Sequence, residues 1–250
     1  MMKHPLLDQL QQLRLTGMAK ALQDQIETAH GQSLDFEERL GLMLDREMTE
    51  RDNRRLQTLL RKAKLHQSAA AIEDLDWQSP RRLDQRLMAQ LATLQWCRER
   101  LNLIITGPTG IGKSWIACAL GNKACREGLR TRYFRLSRLF QHLQLARADG
   151  SWSKRLRELA RTDCLIIDDW GLTPMTDENR RDLLEVLDDR FNIKATLVTS
   201  QLPVEHWHEY IGDSTLADAI LDRLVHNSYR LHMAGESMRK QLSRVEGANA

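Results

Sequence analysis

The chain has 250 residues, of which 42% are hydrophobic and 28% are charged, so it can form one domain with a substantial core and a smaller module. Its formal net charge of +3 permits a nucleic-acid partner but does not require one. The N-terminus lacks the pattern of a secretory signal, and no apolar run approaches the ~20 residues that cross a bilayer, so we expect a cytoplasmic protein without a membrane partner.

Residues 1–75 are predicted to form an N-terminal all-helical domain that binds DNA, a partner protein or both. Leu6 and Leu10 have helical spacing and begin a first amphipathic helix. The dipeptide Thr16-Gly17 predicts a turn, after which apolar residues at helical spacing continue on a second helix.

A long third helix is predicted to begin near Phe36, because Asp35 and Glu38 have the spacing of a capping box. Basic residues cluster farther along this helix. They fit two interpretations, a solvated helix surface or a surface that contacts DNA. The candidates for DNA contact are Arg51, Arg54 and Arg55.

Residues 76–100 are predicted to be a linker followed by a leading helix, since a polar stretch contains the step Ser79-Pro80. From 101 to 250, apolar runs typical of strands alternate with helical patterns. The runs are 101–106, 131–136, 164–168, 195–199 and 229–233. This alternation predicts an α/β domain with a parallel sheet covered by helices.

A phosphate-binding loop is predicted directly after the first of these strands and before a helix. The segment is Gly107-Pro108-Thr109-Gly110-Ile111-Gly112-Lys113-Ser114. Its glycines let backbone N–H groups curl around a polyphosphate, and the helix N-terminus adds partial positive charge. Lys113 would reach the β and γ phosphates, and Ser114 would offer a hydroxyl to Mg²⁺. A simple glycine-rich connector would not require Lys-Ser after the last glycine, so the sequence predicts binding of a nucleoside triphosphate.

The second half of the predicted site is a pair of carboxylates, Asp168 and Asp169, at the end of an apolar strand. In a phosphate-loop NTPase an acid at this place holds Mg²⁺ through water, and Asp168 fits that role. Asp169 fits the role of a general base that activates water. The alternative is a helix N-cap and its neighbour, but the phosphate loop upstream favours the NTPase site.

Taken in order, these motifs resemble an AAA+ ATPase of the DnaC/DnaA-like branch and, more specifically, the IstB family of ATPase helpers in insertion-sequence transposition. The resemblance covers nearly the whole chain. The segments that carry it are Leu13–Met18, Cys164–Gly171, Val198–Pro203, Ala219–His226 and Gly235–Lys240. Because few residues follow the fifth predicted strand, we expect no full helical lid, and we expect nucleotide to be held largely between subunits.

The resemblance also implies roles for single residues. Thr199 occupies the sensor 1 position, for which Gln201 is a competing candidate. Arg223 matches the arginine finger that enters a neighbouring subunit's site, and Arg239 matches a sensor 2-like arginine; either could instead be a surface arginine. Asp169 stands where a glutamate is more common, and its shorter side chain implies slower hydrolysis or altered geometry.

A basic helical pair between the second strand and Asp168 is a further candidate for DNA contact. In initiator-type relatives an inserted helical element at this place faces DNA, and such contacts go mainly to phosphates. The alternative is a solvated surface. The candidate residues are Arg147, Lys154, Arg155 and Arg157.

The function implied by the resemblance is an ATP- and Mg²⁺-dependent regulator of transposition. It would form a homo-oligomer on double-stranded DNA, hydrolyse ATP, and recruit or stimulate a transposase. Two alternatives remain open from the sequence. One is a DnaC-like helicase loader, and the other is an ATP-gated DNA-binding scaffold with little turnover.

Overall fold

The computed structural model describes residues 5–28 and 34–238, and these form two compact units with the boundary between Thr58 and Leu59. The second unit therefore includes residues 59–75, which the sequence analysis assigned to the N-terminal helical domain. Arg239 lies outside the described residues. No helix in residues 5–28 or 34–238 combines the length and apolar character needed to cross a membrane.

The first unit is helical, as predicted, but the predicted turn at Thr16-Gly17 is wrong: the turn lies at Leu13-Arg14, and Thr16 begins the second helix. It contains helix α1 (Pro5–Gln12), helix α2 (Thr16–Glu27) and most of helix α3 (Phe36–Ala63). The predicted capping box at the start of α3 is confirmed: Glu38 N donates to Asp35 Oδ1 at 2.8 Å, and Asp35 N donates to Glu38 Oε2 at 3.2 Å. This exchange satisfies two backbone donors that a helix N-terminus leaves unpaired.

A buried carboxylate joins α2 to α3. Glu47 Oε2 accepts from Gly17 N at 2.7 Å and from Met18 N at 3.2 Å, and Arg51 Nε donates to Glu47 Oε1 at 2.8 Å. A Cβ added at Gly17 would lie 2.5 Å from Glu47 Cα, so only glycine permits this close approach. Burial raises the pKa of Glu47, but the hydrogen bonds from Arg51, Met18 and Gly17 outweigh it and leave this pKa below its ordinary value.

The second unit alternates strands and helices, and each of the five predicted strands is present. The strands are β1 (Asn102–Thr106), β2 (Thr131–Arg135), β3 (Cys164–Trp170), β4 (Ala195–Ser200) and β5 (Ser228–His232). The helices are α4 (Gln85–Ala92), α5 (Gln95–Arg98), α6 (Lys113–Arg126), α7 (Leu136–Ala148), α8 (Trp152–Ala160), α9 (Asp177–Asp188), α10 (Trp207–Ile211) and α11 (Ser214–Val225), with short 3₁₀ turns at Ile72–Asp74 and Val204–His206.

All neighbouring strands are parallel, in the order β2-β3-β4-β1-β5. On one face, Ile104, Ile167 and Val198 pack with helices α7 to α11 in a single apolar cluster. Because side chains alternate along a strand, the intervening residues face the other side, where Gly121 of α6 lies against Ile166. The sheet is thus covered on both faces, which explains why its inner strands β1, β3 and β4 are nearly continuous buried runs.

A β-bulge interrupts the pairing of β3 with β4. Ile167 pairs with Val198 and Trp170 pairs with Ser200, so Asp168 and Asp169 lie opposite the single residue Thr199. Asp169 is the extra residue of the bulge, and its backbone is in the left-handed region with φ 63°. The bulge brings two consecutive carboxylates to the edge of the sheet where parallel strands end and ligands bind.

Candidate functional site

The predicted phosphate loop connects β1 to α6 at the carboxyl edge of the sheet. None of its three glycines can be replaced without strain, because Gly107, Gly110 and Gly112 all have positive φ. Gly107 has φ 150° and an added Cβ would lie 2.3 Å from Met233 O, while Gly112 caps α6 with φ 103°. A backbone of this shape turns N–H groups toward a common point, which is the geometry that binds phosphate.

Lys113 begins α6 and is buried beneath the loop. Its Nζ donates to Gly107 O at 2.8 Å and to Pro108 O at 2.9 Å. Ile111 is fully buried and anchors the loop in the core, whereas Thr109 is exposed and lines the adjoining cleft. The ammonium group is therefore held at the loop that the sequence assigns to phosphates.

Three hydroxyl groups surround the buried carboxylate of Asp168. Ser114 Oγ donates to Asp168 Oδ1 at 3.0 Å, Tyr133 OH donates to Asp168 Oδ2 at 2.5 Å, and Thr199 Oγ1 also donates to Asp168 Oδ1. The structure thus brings together Ser114 and Asp168, the two residues predicted to hold the metal ion. Thr199 contacts this carboxylate directly, while Gln201 lies exposed in the cleft.

Tyr133 was missed by sequence reasoning. It lies on β2 beside β3, and its hydroxyl reaches Asp168 because the two strands are adjacent and in register. Burial, together with this hydrogen bond and the negative charge of Asp168, raises the pKa of Tyr133 well above its ordinary value. Tyr133 therefore stays a protonated hydrogen-bond donor to the carboxylate.

Asp169, the predicted general base, is partly exposed to the cleft and forms an ion pair with Arg135, whose Nε lies 3.3 Å from Asp169 Oδ2. Burial and the negative charge of Asp168 raise the pKa of Asp169, and the positive charges of Arg135 and Lys113 offset part of that rise. A raised pKa makes a carboxylate a stronger proton acceptor near neutral pH.

The cleft beside these residues has a volume of about 480 Å³ and is lined by Thr109, Lys113, Ser114, Asp168 and Asp169 among others. Its donors fit a magnesium nucleotide, because Mg²⁺ prefers hard oxygen ligands and usually combines one or two protein groups with phosphates and water. Within residues 5–28 and 34–238, no group of three His, Cys, Asp or Glu side chains could hold a metal ion by itself. Phosphate and water oxygens would therefore have to complete the coordination.

Arg223, the predicted arginine finger, lies away from the phosphate loop of its own chain. Asn102, the first residue of β1, donates through Nδ2 to Arg223 O at 2.7 Å, whereas the loop follows the last residue of β1, about 13 Å farther along a strand. The Arg223 guanidinium pairs with Asp188, donates to Ala219 O at 2.9 Å and lies 5.9 Å from the Phe191 ring centroid.

Arg147, one of the predicted DNA contacts, lies beside the carboxylates of α9. Its guanidinium lies 2.6 Å from the buried Asp182, 3.6 Å from Glu178 and 3.9 Å from Glu185, and it stacks 3.7 Å from the centroid of the Trp152 ring. These three carboxylates of α9 offset the charge of Arg147, which links α7 to α9, and its contact with DNA stays a prediction.

The other basic candidates differ in whether their side chains already interact with groups of their own chain. Arg51 is bound to buried Glu47, and Arg155 pairs with Glu158 at 2.9 Å. Arg157 Nε donates to Ser153 O at 3.1 Å but is exposed. Lys154, Arg54 and Arg55 are exposed, and no carboxylate of the described residues lies within ion-pair distance of them.

Comparison with known proteins identifies relatives along almost the whole chain. Residues 8–246 match the family described as IstB-like ATP binding protein. The insertion sequence ATP-binding protein y4pL of Sinorhizobium fredii is 49% identical over 98% of this chain and 99% of its own length. The corresponding IS1162 protein of Pseudomonas fluorescens is 52% identical over 81% of this chain and 88% of its own length.

Solved structures give the fold. The DnaC helicase loader superimposes with a TM-score of 0.55 at 18% identity, covering 66% of this chain and 96% of its own. DnaI superimposes with a TM-score of 0.57 at 17% identity, covering 71% and 93%. The α/β fold predicted from the sequence, a parallel sheet covered by helices with an N-terminal helical part, is thereby confirmed. The expected absence of a full lid stays a prediction, because the described residues end at Met238.

Proposed function

The chain belongs to the IstB-like ATP binding protein family, and we propose that it is an AAA+ ATPase that oligomerises on double-stranded DNA and recruits or stimulates a transposase. The observation that carries the ATPase proposal is one juxtaposition at the carboxyl edge of the sheet. Lys113 lies under the phosphate loop, Ser114 binds Asp168, and Asp169 presents a second carboxylate of raised pKa to the same cleft.

Bound ATP would supply the scissile phosphoanhydride bond, and Mg²⁺ would neutralise charge on its phosphates. The loop N–H groups and Lys113 would bind the phosphates, while Ser114 and Asp168 would hold the metal ion. Asp169 would accept the proton of the attacking water on its carboxylate. Thr199 positions both carboxylates, since it donates to Asp168 and accepts from Asp169 N at 3.4 Å.

The position of Arg223 supports an oligomer. At the edge of the sheet opposite its own loop, Arg223 can reach a nucleotide only in another copy of the chain. Head-to-tail assembly of this kind makes nucleotide binding and subunit association interdependent. DNA contact is supported by exposed basic residues, Lys154 and Arg157 on α8 and Arg54 and Arg55 on α3. The transposase partner is proposed from the relatives, which are named as insertion sequence proteins.

A second candidate, the DNA-binding scaffold with little turnover, is favoured by the ion pair between Asp169 and Arg135. A base held by a cation is a weaker proton acceptor. Single-turnover hydrolysis with DNA separates the two functions: an ATPase converts bound ATP within one binding lifetime, and a scaffold releases it intact. The helicase-loader alternative is supported only by the similarity of fold to DnaC and DnaI.

The test of the proposal is Lys113→Ala, with Lys123→Ala as the matched control. Lys123 is on the same helix but pairs with Glu127 at 3.2 Å, away from the loop. Lys113→Ala should abolish binding of a fluorescent ATP analogue and ATP-dependent assembly on duplex DNA, and Lys123→Ala should leave both intact. Unchanged nucleotide affinity in Lys113→Ala would refute the site.

A further inference from the structure

A basic groove lies in the second unit, where the last turn of α3, the start of β2, α7 and α8 meet. Its volume is about 360 Å³, and Leu59 and Leu159 contribute apolar surface to it. Five cationic side chains line it: Lys62, Arg130, Arg132, Arg155 and Arg161. None of them belongs to the nucleotide cleft.

Carboxylates offset only part of this charge. Arg130 binds Asp163 at 3.0 Å, and Arg155 binds Glu158 at 2.9 Å. Arg132 donates to a backbone carbonyl, Lys62 O, at 2.9 Å. Among the described residues, no carboxylate lies within ion-pair distance of the Lys62 ammonium or the Arg161 guanidinium, and both residues are exposed.

The pKa of a neighbouring histidine is consistent with the same excess of positive charge. His142 of α7 also lines the groove. Burial lowers the pKa of His142, and the positive charges of Arg155, Arg132 and Lys64 lower it further, against a smaller opposite effect of Glu158. Burial disfavours a charge of either sign, but the contribution of Arg155 and Arg132 reflects the positive potential of the groove, which favours an anion.

We propose that the basic groove binds the phosphodiester backbone of duplex DNA, with Lys62 and Arg161 as phosphate contacts. The inference rests on the proposed DNA-binding function and gives it a location. Guanidinium and ammonium groups are the usual phosphate ligands of proteins. The cations come from three separate parts of the chain and line an open groove, which suits a chain of phosphates better than one small anion. Contacts of this kind carry no base-sequence information.

The experiment measures binding of two unrelated 30-base-pair duplexes by fluorescence anisotropy, with ATP present, across a series of salt concentrations. The test variant is Lys62→Gln/Arg161→Gln in the full chain. The matched control is Arg98→Gln/Lys123→Gln, which removes the same charge from two residues that pair with Glu127 outside the groove. A third variant, Lys62→Arg/Arg161→Lys, keeps the charge of the groove.

Each phosphate contact contributes about 0.9 to the slope of log K against log salt, so the test variant should lose about 1.8 from that slope. At 0.1 M salt this corresponds to binding that is weaker by about 60-fold on both duplexes. The Arg98→Gln/Lys123→Gln control and the charge-conserving variant should keep the wild-type slope.

A slope in the test variant equal to that of the wild type would refute the groove as the DNA-binding site, while the proposal that the protein binds DNA would stand. A wild-type chain that does not bind duplex DNA would overturn the proposed function itself, and the inference with it. If the test variant binds weakly and also melts at a lower temperature, the charge-conserving variant decides the cause. If the charge-conserving variant keeps both the wild-type slope and the wild-type melting temperature, the loss of DNA affinity is due to the lost charge and not to misfolding.

Discussion

Removal of the Arg223 side chain tests whether this arginine makes the proposed catalytic contact between subunits or only a structural contact within its own chain. In its own chain Arg223 pairs with Asp188, whose side chain is 47% exposed, and donates to Ala219 O. An exposed ion pair stabilises a protein by about 0–1 kcal/mol, so Arg223→Ala should lower the melting temperature by only a few degrees. It should bind ATP normally, since Arg223 lies away from its own loop.

The expected loss in hydrolysis is far larger. An arginine finger contributes about 10³–10⁵ in rate, and even 10³ corresponds to about 4 kcal/mol of transition-state stabilisation. The ion pair within the chain cannot account for a loss of that size. Arg181→Ala is the control, because Arg181 is an exposed arginine of α9. It should retain wild-type hydrolysis.

The decisive assay mixes Arg223→Ala with Lys113→Ala and follows DNA-stimulated hydrolysis across mixing ratios. Lys113→Ala offers an intact finger, and Arg223→Ala offers an intact phosphate loop. Lys113→Ala cannot assemble with ATP by itself, but its Arg223 can still meet an ATP-loaded loop of Arg223→Ala. If subunits pair at random at equal amounts, about a quarter of the interfaces contain both halves, so activity should peak at intermediate ratios near a quarter of wild type. Inactivity at every ratio, with co-assembly verified, would refute action between subunits.

Three further substitutions test the electrostatics. Glu47→Gln should destabilise the first unit by about 1–3 kcal/mol in urea unfolding. Because the pKa of Glu47 is lowered in the folded state, the carboxylate stabilises the protein above its ordinary pKa, and this stabilisation is lost as the pH falls through the folded value. The variant should therefore lose less stability on acidification than the wild type, and identical curves of stability against pH would contradict this. Arg135→Gln should raise the pKa of Asp169 further and move the acid limb of the hydrolysis profile to higher pH, whereas an unmoved limb would argue against Asp169 as the base. Tyr133→Phe removes a hydrogen-bond donor to a buried carboxylate and should lower the free energy of unfolding by about 1.5–3 kcal/mol. The control Tyr210→Phe should lower it by about 0.5–1.5 kcal/mol, because the Tyr210 hydroxyl donates to the neutral Thr173 O at 2.5 Å. Similar losses for the two variants in thermal melts would contradict the charge-assisted hydrogen bond.

The sequence predicted those parts of the molecule that depend on neighbours along the chain. The phosphate loop is such a part, because strand, glycines, Lys113 and Ser114 are contiguous. The same holds for the start of α3, where Asp35 and Glu38 interact over a single turn. Strand positions followed from apolar runs, since a strand buried on both faces needs apolar side chains throughout.

Features that depend on register or on contacts between distant segments were not predictable. Tyr133 reaches Asp168 only because β2 and β3 pair in one particular register. The bulge at Asp169 has no glycine or proline to signal it. The charge of Arg147 is identical in sequence whether it faces solvent or the carboxylates of α9, and only the packing of α7 against α9 decides between them.

The pairing of β1 with β5 determines when the phosphate loop can take its final geometry during synthesis of the chain. Thr106, immediately before the phosphate loop, pairs with His232, and Gly110 O accepts from Met238 N at 2.9 Å. The loop is thus held by contacts with a segment that is translated more than a hundred residues later. At a translation rate of about 5–20 residues per second, this delay lasts several seconds or more. Throughout that time β1 is an open sheet edge, so a nascent chain presents a strand that other chains can pair with. Synthesis of β5 covers β1 and completes the loop, so the phosphate loop can take the geometry described above only after the segment up to Met238 has been translated.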